Sequence, residues 1–474
     1  MARGTWDDTN KPKAPGYYHR MVQAAQETAE SISGILAMPV KSNWGPIKAV
    51  TEVSGLPELK HKFGTSMEFT AYKLGRLALL GNPEKLLLYR LADGSAAKGK
   101  ASLKNSESEQ TAVINFETIY ASDRDFKLSV ASNIVNSSNK DISLYEGTTL
   151  LGKVENISGT LQEILDIINK STIGDYVVGT LADNATGTLA DVSSVAFTGG
   201  NNGTTSITND DYVSAMEAIR AYEFDGFTLD GVSDPALIAT VKEWGEECQK
   251  EGLDFLIFSA TNETTLNAAN QKSKGYNSTL MHNGFAKTLT YDKVDYTIAE
   301  AMVYVAALAL SKNLKGSICN AETIFTDVQP RLKRTEVDSA LEAGTIVFTV
   351  KKNGKVVIVD DVNTYKDYEK EEDKVLGNIR AIRFINTVNK TCAIKAEDDL
   401  EGQVSGDDTG HTIILSGFKN FFDEWKKLGI ISGYTAETDE ENQAKAETDE
   451  YFWKWSADYV NVTKRIYSKG NLVG

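Results

Sequence analysis

Cysteine is scarce in this sequence. The 474 residues contain only Cys248, Cys319 and Cys392, which lie far apart along the chain. Three widely spaced thiols provide neither a disulfide framework nor the paired spacing of a zinc site. We therefore expect a chain that is made in a reducing cytoplasm and binds no metal.

Histidine is also scarce, and the usual catalytic motifs are missing. His19, His61, His282 and His411 have no paired spacing that predicts a metal or catalytic site. The Gly-rich stretch TGGNNGTTS (198 to 206) lacks the Lys-Ser/Thr pair of a phosphate-binding loop, and no G-x-S-x-G motif occurs. We expect no catalytic residue, no cofactor and no enzymatic activity.

Positive charge and long apolar runs are in short supply. The 50 Lys and Arg residues are outnumbered by 66 Asp and Glu residues, and the resulting net charge of −16 opposes binding to a phosphate backbone. The longest apolar run, AMVYVAALAL (301 to 310), is too short to cross a bilayer, and the N-terminus lacks the apolar segment of a signal peptide. We expect no nucleic acid partner, no membrane contact by this chain and no export by this route.

What is present indicates several domains. Six of the eight prolines lie in the first 83 residues, and the pattern then changes from short β-forming runs to helices alternating with buried strands. We predict a multidomain α/β and β protein with a layered α/β core, an inserted small β domain and a C-terminal α+β domain. The expected segments are an extended N-terminal arm (1 to 20), an α/β piece (21 to 96), an inserted antiparallel β domain (97 to 205), an α/β core domain (206 to 330), a C-terminal α+β domain (331 to 457) and an extended C-terminal arm (458 to 474).

One stretch of the C-terminal domain predicts a β-hairpin. TVKKNGKVVIV (349 to 359) has β-branched residues on both sides of Asn353-Gly354, the pair that favours a type I′ turn. The charged residues that follow offer no third strand, although a two-stranded hairpin alone is marginal in water. The final stretch, 458 to 474, also alternates like a strand without an evident neighbour. The hairpin therefore needs further strands or a packed helix to be stable.

Three ordered blocks of the sequence resemble a known family. The blocks are GILAMPVKSNWGP (34 to 46), LALLGNPEKLLLYRLADGSAAK (77 to 98) and DVQPRLKRTEVDSALEAGTIVFTVKKNGKVVIVDDVNTY (327 to 365). They resemble the contractile tail sheath proteins of phages and phage-like particles of Gram-positive bacteria. The most specific residues are Gly34, Pro39, Trp44, Gly45 and Pro46 in the first block; Gly81, Tyr89, Arg90, Asp93 and Gly94 in the second; and Arg331, Glu336, Ala340, Gly344, Phe348, Gly354, Val356, Asn363 and Thr364 in the third.

The resemblance implies a mechanical function. Sheath proteins of this kind polymerise as stacked six-fold rings around a tail tube and contract to drive the tube through a bacterial envelope. The implied partners are further copies of the chain, the tail tube protein, and baseplate and tail terminator proteins. The implied location is a virion tail or tail-like particle assembled in the cytoplasm of the bacterial host.

The resemblance also implies which segments bind neighbouring subunits. In the family, the C-terminal domain faces the tube, and extended arms of neighbouring subunits complete its small sheet by strand addition. We take the two termini as the donors and the predicted hairpin as the acceptor; the helix SGFKNFFDEWKKLG (416 to 429) is a hypothetical tube contact. The donor residues are Thr5, Trp6, Tyr459, Val460, Val462 and Ile466; the acceptor residues are Val347, Phe348, Val350, Asn353, Gly354, Val356 and Ile358; the tube-contact lysines are Lys419, Lys426 and Lys427.

Other interpretations stay open at this point. The α/β domain is compatible with an enzyme whose site lies at the carboxyl ends of its strands. A soluble binding module with disordered tails is a second alternative, because chain termini are commonly frayed. The three lysines of the predicted helix are equally compatible with ordinary solvent-facing positions.

Overall fold

The computed structural model describes residues 2 to 5, 16 to 19 and 34 to 472. They divide into two compact units. The large unit contains Ser33–Lys312, Gly316–Ala393 and the described part of Lys464–Gly474. The small unit contains Asn313–Lys315, Ile394–Thr463 and the described part of Met1–Ile32. Finer boundaries inside the large unit stay predictions.

The strands of these residues are numbered in chain order. They are β1 Ala2–Thr5, β2 Gly16–His19, β3 Leu36–Val40, β4 Val50–Val53, β5 Leu86–Arg90, β6 Lys100–Lys104, β7 Ala112–Thr118, β8 Phe126–Ser132, β9 Lys140–Glu146, β10 Thr149–Ile157, β11 Val177–Leu181, β12 Val192–Ala196, β13 Gly226–Thr228, β14 Leu256–Ser259, β15 Met281–Phe285, β16 Thr288–Tyr291, β17 Val294–Tyr296, β18 Asp327–Gln329, β19 Thr345–Val350, β20 Val356–Ile358, β21 Ile431–Thr438 and β22 Trp453–Tyr459.

The helices of the same residues follow the same convention. They are α1 Leu56–Phe63, α2 Thr70–Leu79, α3 Leu161–Asn169, α4 Asn209–Ile219, α5 Pro235–Lys250, α6 Leu266–Tyr276, α7 Ile298–Leu310, α8 Arg334–Ala343, α9 Ile379–Lys395, α10 Asp408–Lys427 and α11 Glu440–Gln443. A 3-10 helix (Glu371–Gly377) precedes α9, and a short π-helix (Ala396–Leu400) follows it.

An eight-stranded sheet forms the centre of the large unit. Its strand order is β20-β19-β15-β14-β13-β3-β5-β4. The six inner strands run parallel, whereas β4 and β20 are antiparallel edge strands. Strands β3 (LAMPV) and β5 (LLLYR) are buried along their whole length, as expected for parallel strands that are covered on both faces. The predicted layered α/β architecture is confirmed.

Helices pack on both faces of this sheet. Helix α7 packs against β13, β14 and α2 in one apolar cluster, and α4 and α5 lie in a second cluster with the other face. Helix α7 begins with a capping box formed by Thr297 and Glu300. Almost every residue of α7 is buried, which confirms the interpretation of the Ala/Leu/Val run as core packing.

Between β5 and α4 the chain forms two antiparallel sheets. One has the order β10-β9-β8-β12 and the other β11-β7-β6, and α3 packs against the second. The alternating burial of β8 (FKLSVAS) shows why short β-forming runs fold this way, since one face of the sheet packs on a core and the other meets water.

The Arg90 side chain joins these sheets to the core. It is completely buried at the end of β5. Its Nε donates to the carbonyl of Ser42 at 3.0 Å, and Nη1 donates to that of Gly45 at 2.5 Å. Its Nη2 donates to the carbonyls of Ala121, between β7 and β8, and of Asn202, after β12, at 2.8 and 3.1 Å.

The predicted hairpin forms, but its turn differs from the prediction. Strands β19 and β20 are antiparallel neighbours that flank Asn353 and Gly354. Only Gly354 of this pair has a positive φ, of 82°, whereas a type I′ turn needs two such residues. The Lys351 carbonyl accepts from Gly354 N, and Lys351 N donates to the Lys355 carbonyl, so the loop is longer than the predicted two-residue turn.

The expectation that this hairpin lacks a third strand is wrong. Strand β19 pairs with β15, and the outer edge of β20 is also occupied, because Thr323 N donates to the Val356 carbonyl and Ile358 N to that of Ala321. Four of the predicted acceptor residues are buried in the chain's own core: Val347, Phe348, Val356 and Ile358. Val350 is partly buried against that core. The physical reason for treating this hairpin as the strand acceptor is therefore removed.

Candidate assembly site

A different hairpin, in the small unit, has two strands among the residues that the structure describes. Strands β21 and β22 pair antiparallel from Thr438↔Trp453 to Ile431↔Tyr459, with a register shift near Tyr434. No third strand joins them among the described residues. Their backbone edges are the kind of surface to which an extended segment adds by strand pairing.

An aromatic cluster holds this hairpin on α10. Phe422, buried on α10, lies 5.1 Å from the ring of Tyr434 on β21 and 5.4 Å from that of Trp455 on β22, measured between centroids. Phe418 packs on Trp453 in the same way, at 4.6 Å. The ring packing fixes the hairpin on the helix, which a two-stranded sheet needs in order to be stable.

Polar contacts set the orientation of the same hairpin. The Tyr434 hydroxyl donates to the Asp423 carboxylate of α10 at 2.7 Å. Thr435 and Ser456 share a hydroxyl hydrogen bond of 2.8 Å across the two strands. Along β22, half-buried and exposed residues alternate, so one face lies on the helix and the other is open to solvent.

The chain leaves this hairpin as an irregular tail, residues 460 to 472. Val460 N still donates to the Ile430 carbonyl at 3.1 Å, but no residue of the tail belongs to a strand. Of the predicted C-terminal donors, Tyr459 therefore ends β22 within its own chain, whereas Val460, Val462 and Ile466 lie in the tail. Ile466 is 89% exposed. In the single chain residues 460 to 472 form no strand, and their pairing with a neighbouring subunit stays a prediction.

Lys464 of the tail lies in a buried polar site of the large unit. Its Nζ is 2.6 Å from a carboxylate oxygen of Asp360 and 2.6 Å from the amide oxygen of Asn378, and it also contacts Asp361. The side chain of Asp361 is 1% exposed and that of Lys464 is 15% exposed. We call Asp360, Asp361 and Asn378 the lysine site.

The charges of the lysine site depend on one another. Burial opposes the charge of Lys464, but the two carboxylates outweigh it and raise the pKa of the ammonium above its ordinary value. Burial raises the pKa of Asp361, although Lys464 partly offsets this effect. A second cation, Lys366, is close enough to interact electrostatically with both carboxylates, and burial lowers its pKa to about 8.

The sequence analysis predicted neither the lysine site nor the β21–β22 hairpin. The pair Asp360-Asp361 directly follows the apolar run VVIV, and two acids at the end of a buried strand were the only local signal of the lysine site. For β22, the signal was the alternation in WKWSADY, which places Trp453 and Trp455 on one face.

The other predicted contact residues lie in separate places. Thr5 ends β1, which pairs in parallel with β2, and Trp6 lies outside the described residues. On α10, Lys419 is half-buried, whereas Lys426 and Lys427 are exposed in the last turn. Their assignment as tube contacts stays a prediction.

The buried carboxylate just after β13 is held by hydrogen bonds from two neighbouring side chains. Asp230, after β13, is buried and accepts hydrogen bonds from Thr70 Oγ1 at 2.6 Å and from the Tyr212 hydroxyl at 2.7 Å. Another buried group, His282, stacks on Phe258, and burial lowers its pKa to about 4. Within the described residues, no group of three or more His, Cys, Asp or Glu side chains has the arrangement of a metal site, and no helix is long and apolar enough to cross a membrane.

Comparisons with known proteins agree with the resemblance seen in the sequence. The family model for the phage tail sheath protein central domain matches residues 205–364, and the model for the phage tail sheath C-terminal domain matches residues 371–472. Together the two matches cover more than half of the chain. The phage-like element PBSX protein XkdK of Bacillus subtilis is 21% identical over 98% of this chain and 99% of its own length.

Solved structures share the fold. The sheath tail protein of Desulfitobacterium hafniense superimposes with a TM-score of 0.69 at 18% identity, over 94% of this chain and 100% of its own. The helical sheath of the anti-feeding prophage in its contracted state has a TM-score of 0.55 at 10% identity, over 97% of this chain and 99% of its own.

The fold is thus that of a sheath protein, with its layered α/β unit and its small helix-and-hairpin unit. The chain belongs to the phage tail sheath protein family. The expectation of a contractile tail sheath protein, based on three sequence blocks, is confirmed.

Proposed function

We propose that the chain is a structural subunit without catalytic activity that polymerises as stacked six-fold rings around a tail tube and contracts to drive the tube through a bacterial envelope. Strand exchange of both termini holds the polymer together, and baseplate and tail terminator proteins bind its two ends. Assembly takes place in the cytoplasm of the host. The observation that supports this proposal most directly is the two-stranded β21–β22 hairpin, held on α10 and followed by an irregular tail.

The acceptor in this proposal is the β21–β22 hairpin, not β19–β20. In this proposal each outer edge of β21–β22 receives one added strand, so that the N-terminal arm of one neighbour and the C-terminal tail of another together form a four-stranded sheet. Such a sheet is more stable than an isolated hairpin.

The energetics favour two arms over one. A strand of about six residues adds about six backbone hydrogen bonds at roughly 1 kcal/mol net each. Ordering those residues costs roughly 1 to 2 kcal/mol apiece, so one arm alone binds weakly. Burial of tail side chains such as Val462 and Ile466 adds to the binding. A lattice in which every subunit donates and accepts two arms gains further from effective concentration.

Lys419, Lys426 and Lys427 are the proposed contact with an acidic surface of the tail tube. The exposure of Lys426 and Lys427 in the last turn of α10 supports the proposal. Reversal of all three charges is expected to reduce polymer formation on purified tubes. A matched reversal of Lys242, Lys250 and Lys274, on α5 and α6 of the large unit, is expected to leave it unchanged. Equal effects of the two reversals would contradict a tube contact at α10.

Negative-stain electron microscopy of the purified chain tests the main proposal. The full chain is expected to form hollow, striated polymers. A chain without residues 1 to 18 is expected to remain unassembled, and so is a control in which a Gly/Ser segment of equal length replaces them. Normal polymers from the shortened chain would contradict the exchange of the N-terminal arm.

A further inference from the structure

We propose that Asp360, Asp361 and Asn378 are a binding site for a lysine ammonium group, filled by the chain's own Lys464 in the free subunit and by Lys464 of a neighbouring copy in the polymer. This inference rests on the proposed exchange of the C-terminal tail and adds the contact that controls it. The lysine site would thereby hold the tail on its own subunit until assembly begins.

The lysine site requires a cation. Asp360 and Asp361 are adjacent in sequence, and both are buried. With Lys464 removed, two carboxylates would share a site from which water is largely excluded, and no other ammonium among the described residues is within ion-pair distance of them; Lys366 interacts with both at longer range, and the Arg380 and Arg383 side chains line a cavity with Asp361. Lys366 Nζ lies 3.4 Å from the Tyr368 hydroxyl. A buried charge that loses its partner is strongly unfavourable, so the tail cannot leave at low cost unless another ammonium replaces it.

A second copy of Lys464 is the replacement that the chain itself supplies. Only residues 460 to 463 separate β22 from Lys464, and none of them belongs to a strand. A change of conformation in this short connection would move Lys464 to an equivalent site on a neighbour. The ion pair broken within one chain would then form again between two chains, as in domain swapping.

The residues after Lys464 give the exchange a direction. Ile466, Tyr467 and Leu472 are 89%, 87% and fully exposed in the single chain. Exposed apolar side chains gain free energy when another surface covers them. The ion pair is equivalent before and after exchange, so a surface of the neighbouring subunit that covers these side chains would add free energy to the exchanged state alone. Assembly therefore favours the exchanged state.

Cross-linking distinguishes a tail held within one subunit from an exchanged tail. Arg465 follows Lys464, and Lys374 precedes Asn378 by four residues; both are exposed. In a Cys319→Ser background, the double variant Arg465→Cys/Lys374→Cys is treated with a flexible bis-maleimide. Free subunits are expected to cross-link within one chain. The two single-cysteine chains are then mixed, polymerised and treated in the same way, and covalent dimers of the two chains are expected.

Two further variants test the role of the ammonium group. Lys464→Met is expected to reduce the internal cross-link of free subunits by about tenfold or more, since the lysine site then holds no cation from the tail. Lys469→Met removes a nearby exposed positive charge in the same tail and is expected to change nothing. Equal cross-linking by both variants would overturn the lysine site, and this measurement needs no polymer.

The outcomes separate this inference from the proposed function. Polymers whose mixed chains give no covalent dimer, while the double variant still cross-links internally, would overturn the exchange of Lys464 and leave polymerisation intact. Failure of the unmodified chain to polymerise would overturn the proposed function. In that case the free-subunit cross-link still decides whether the lysine site holds the tail.

Discussion

Substitution of Arg90 tests whether one side chain fixes the antiparallel sheets to the core. Four hydrogen bonds from its guanidinium reach backbone carbonyls, and a bond from a charged donor contributes at least about 1.5 kcal/mol, or roughly 6 kcal/mol in all. Burial of the charge opposes this contribution. It lowers the pKa of Arg90 to about 10, and this shift from the ordinary value of an arginine corresponds to roughly 3 kcal/mol. We therefore expect Arg90→Met to reduce the free energy of unfolding by at least roughly 3 kcal/mol.

Urea unfolding and hydrogen exchange measure this effect. The variant is expected to unfold at lower urea, and amides near residues 121 and 202 are expected to exchange faster, because their carbonyls have lost the shared donor. Arg331→Met is the matched control. Its side chain is 55% exposed and pairs with Asp327, so the change is expected to cost less than about 1 kcal/mol. A similarly small loss for Arg90→Met would refute the reasoning.

Three further substitutions have expected outcomes. Burial lowers the pKa of His282 to about 4 in the folded chain, whereas the unfolded side chain has a pKa near 6.5. The unfolded state therefore binds the proton first as the pH falls, and the free energy of unfolding should decrease by roughly 3 kcal/mol between pH 6.5 and pH 4. Urea unfolding of His282→Phe should lack this pH-dependent decrease. Phe422→Ala should destabilise the small unit by roughly 3 to 5 kcal/mol in thermal unfolding, whereas half-buried Phe421→Ala should cost clearly less. Gly354→Ala should lower the free energy of unfolding in urea by about 1 kcal/mol. The loss would come from backbone strain alone, because φ is 82° and nothing lies within 4 Å of an added Cβ. Gly354→Asn should lower it by less, because Asn tolerates a positive φ better than Ala does.

Local patterns predicted most of the large unit. The buried runs of β3 and β5, the helical period of α7 and the alternation in β8 depend on neighbours a few residues apart. Such features follow from which side chains must be buried. The pairing of β19 with β15 could not be predicted from such local patterns. Strand β15 lies about sixty residues earlier in the chain, and parallel pairing leaves no sequence signal at the residues that pair.

The assembly site was harder to predict for a related reason. The hairpin β21–β22 encloses the acidic run 436 to 450, which by composition indicates a solvated loop. The lysine site depends on Lys464 meeting Asp361, 103 residues away in sequence. A lysine in a polar tail gives no local sign of such an ion pair. The turn at Gly354 differs because hydrogen bonds between Lys351 and Lys355 extend the loop beyond two residues.

Hydrogen exchange of the free subunit and of the polymer tests the central claim most directly. If arms of neighbouring subunits add to the β21–β22 hairpin, backbone amides on its outer edges gain hydrogen bonds on assembly. Amides of residues 431 to 438 and 453 to 459 are then expected to exchange much more slowly in the polymer, while those of residues 345 to 358 change little. Protection that appears at 345 to 358, with none at β21 or β22, would contradict the account.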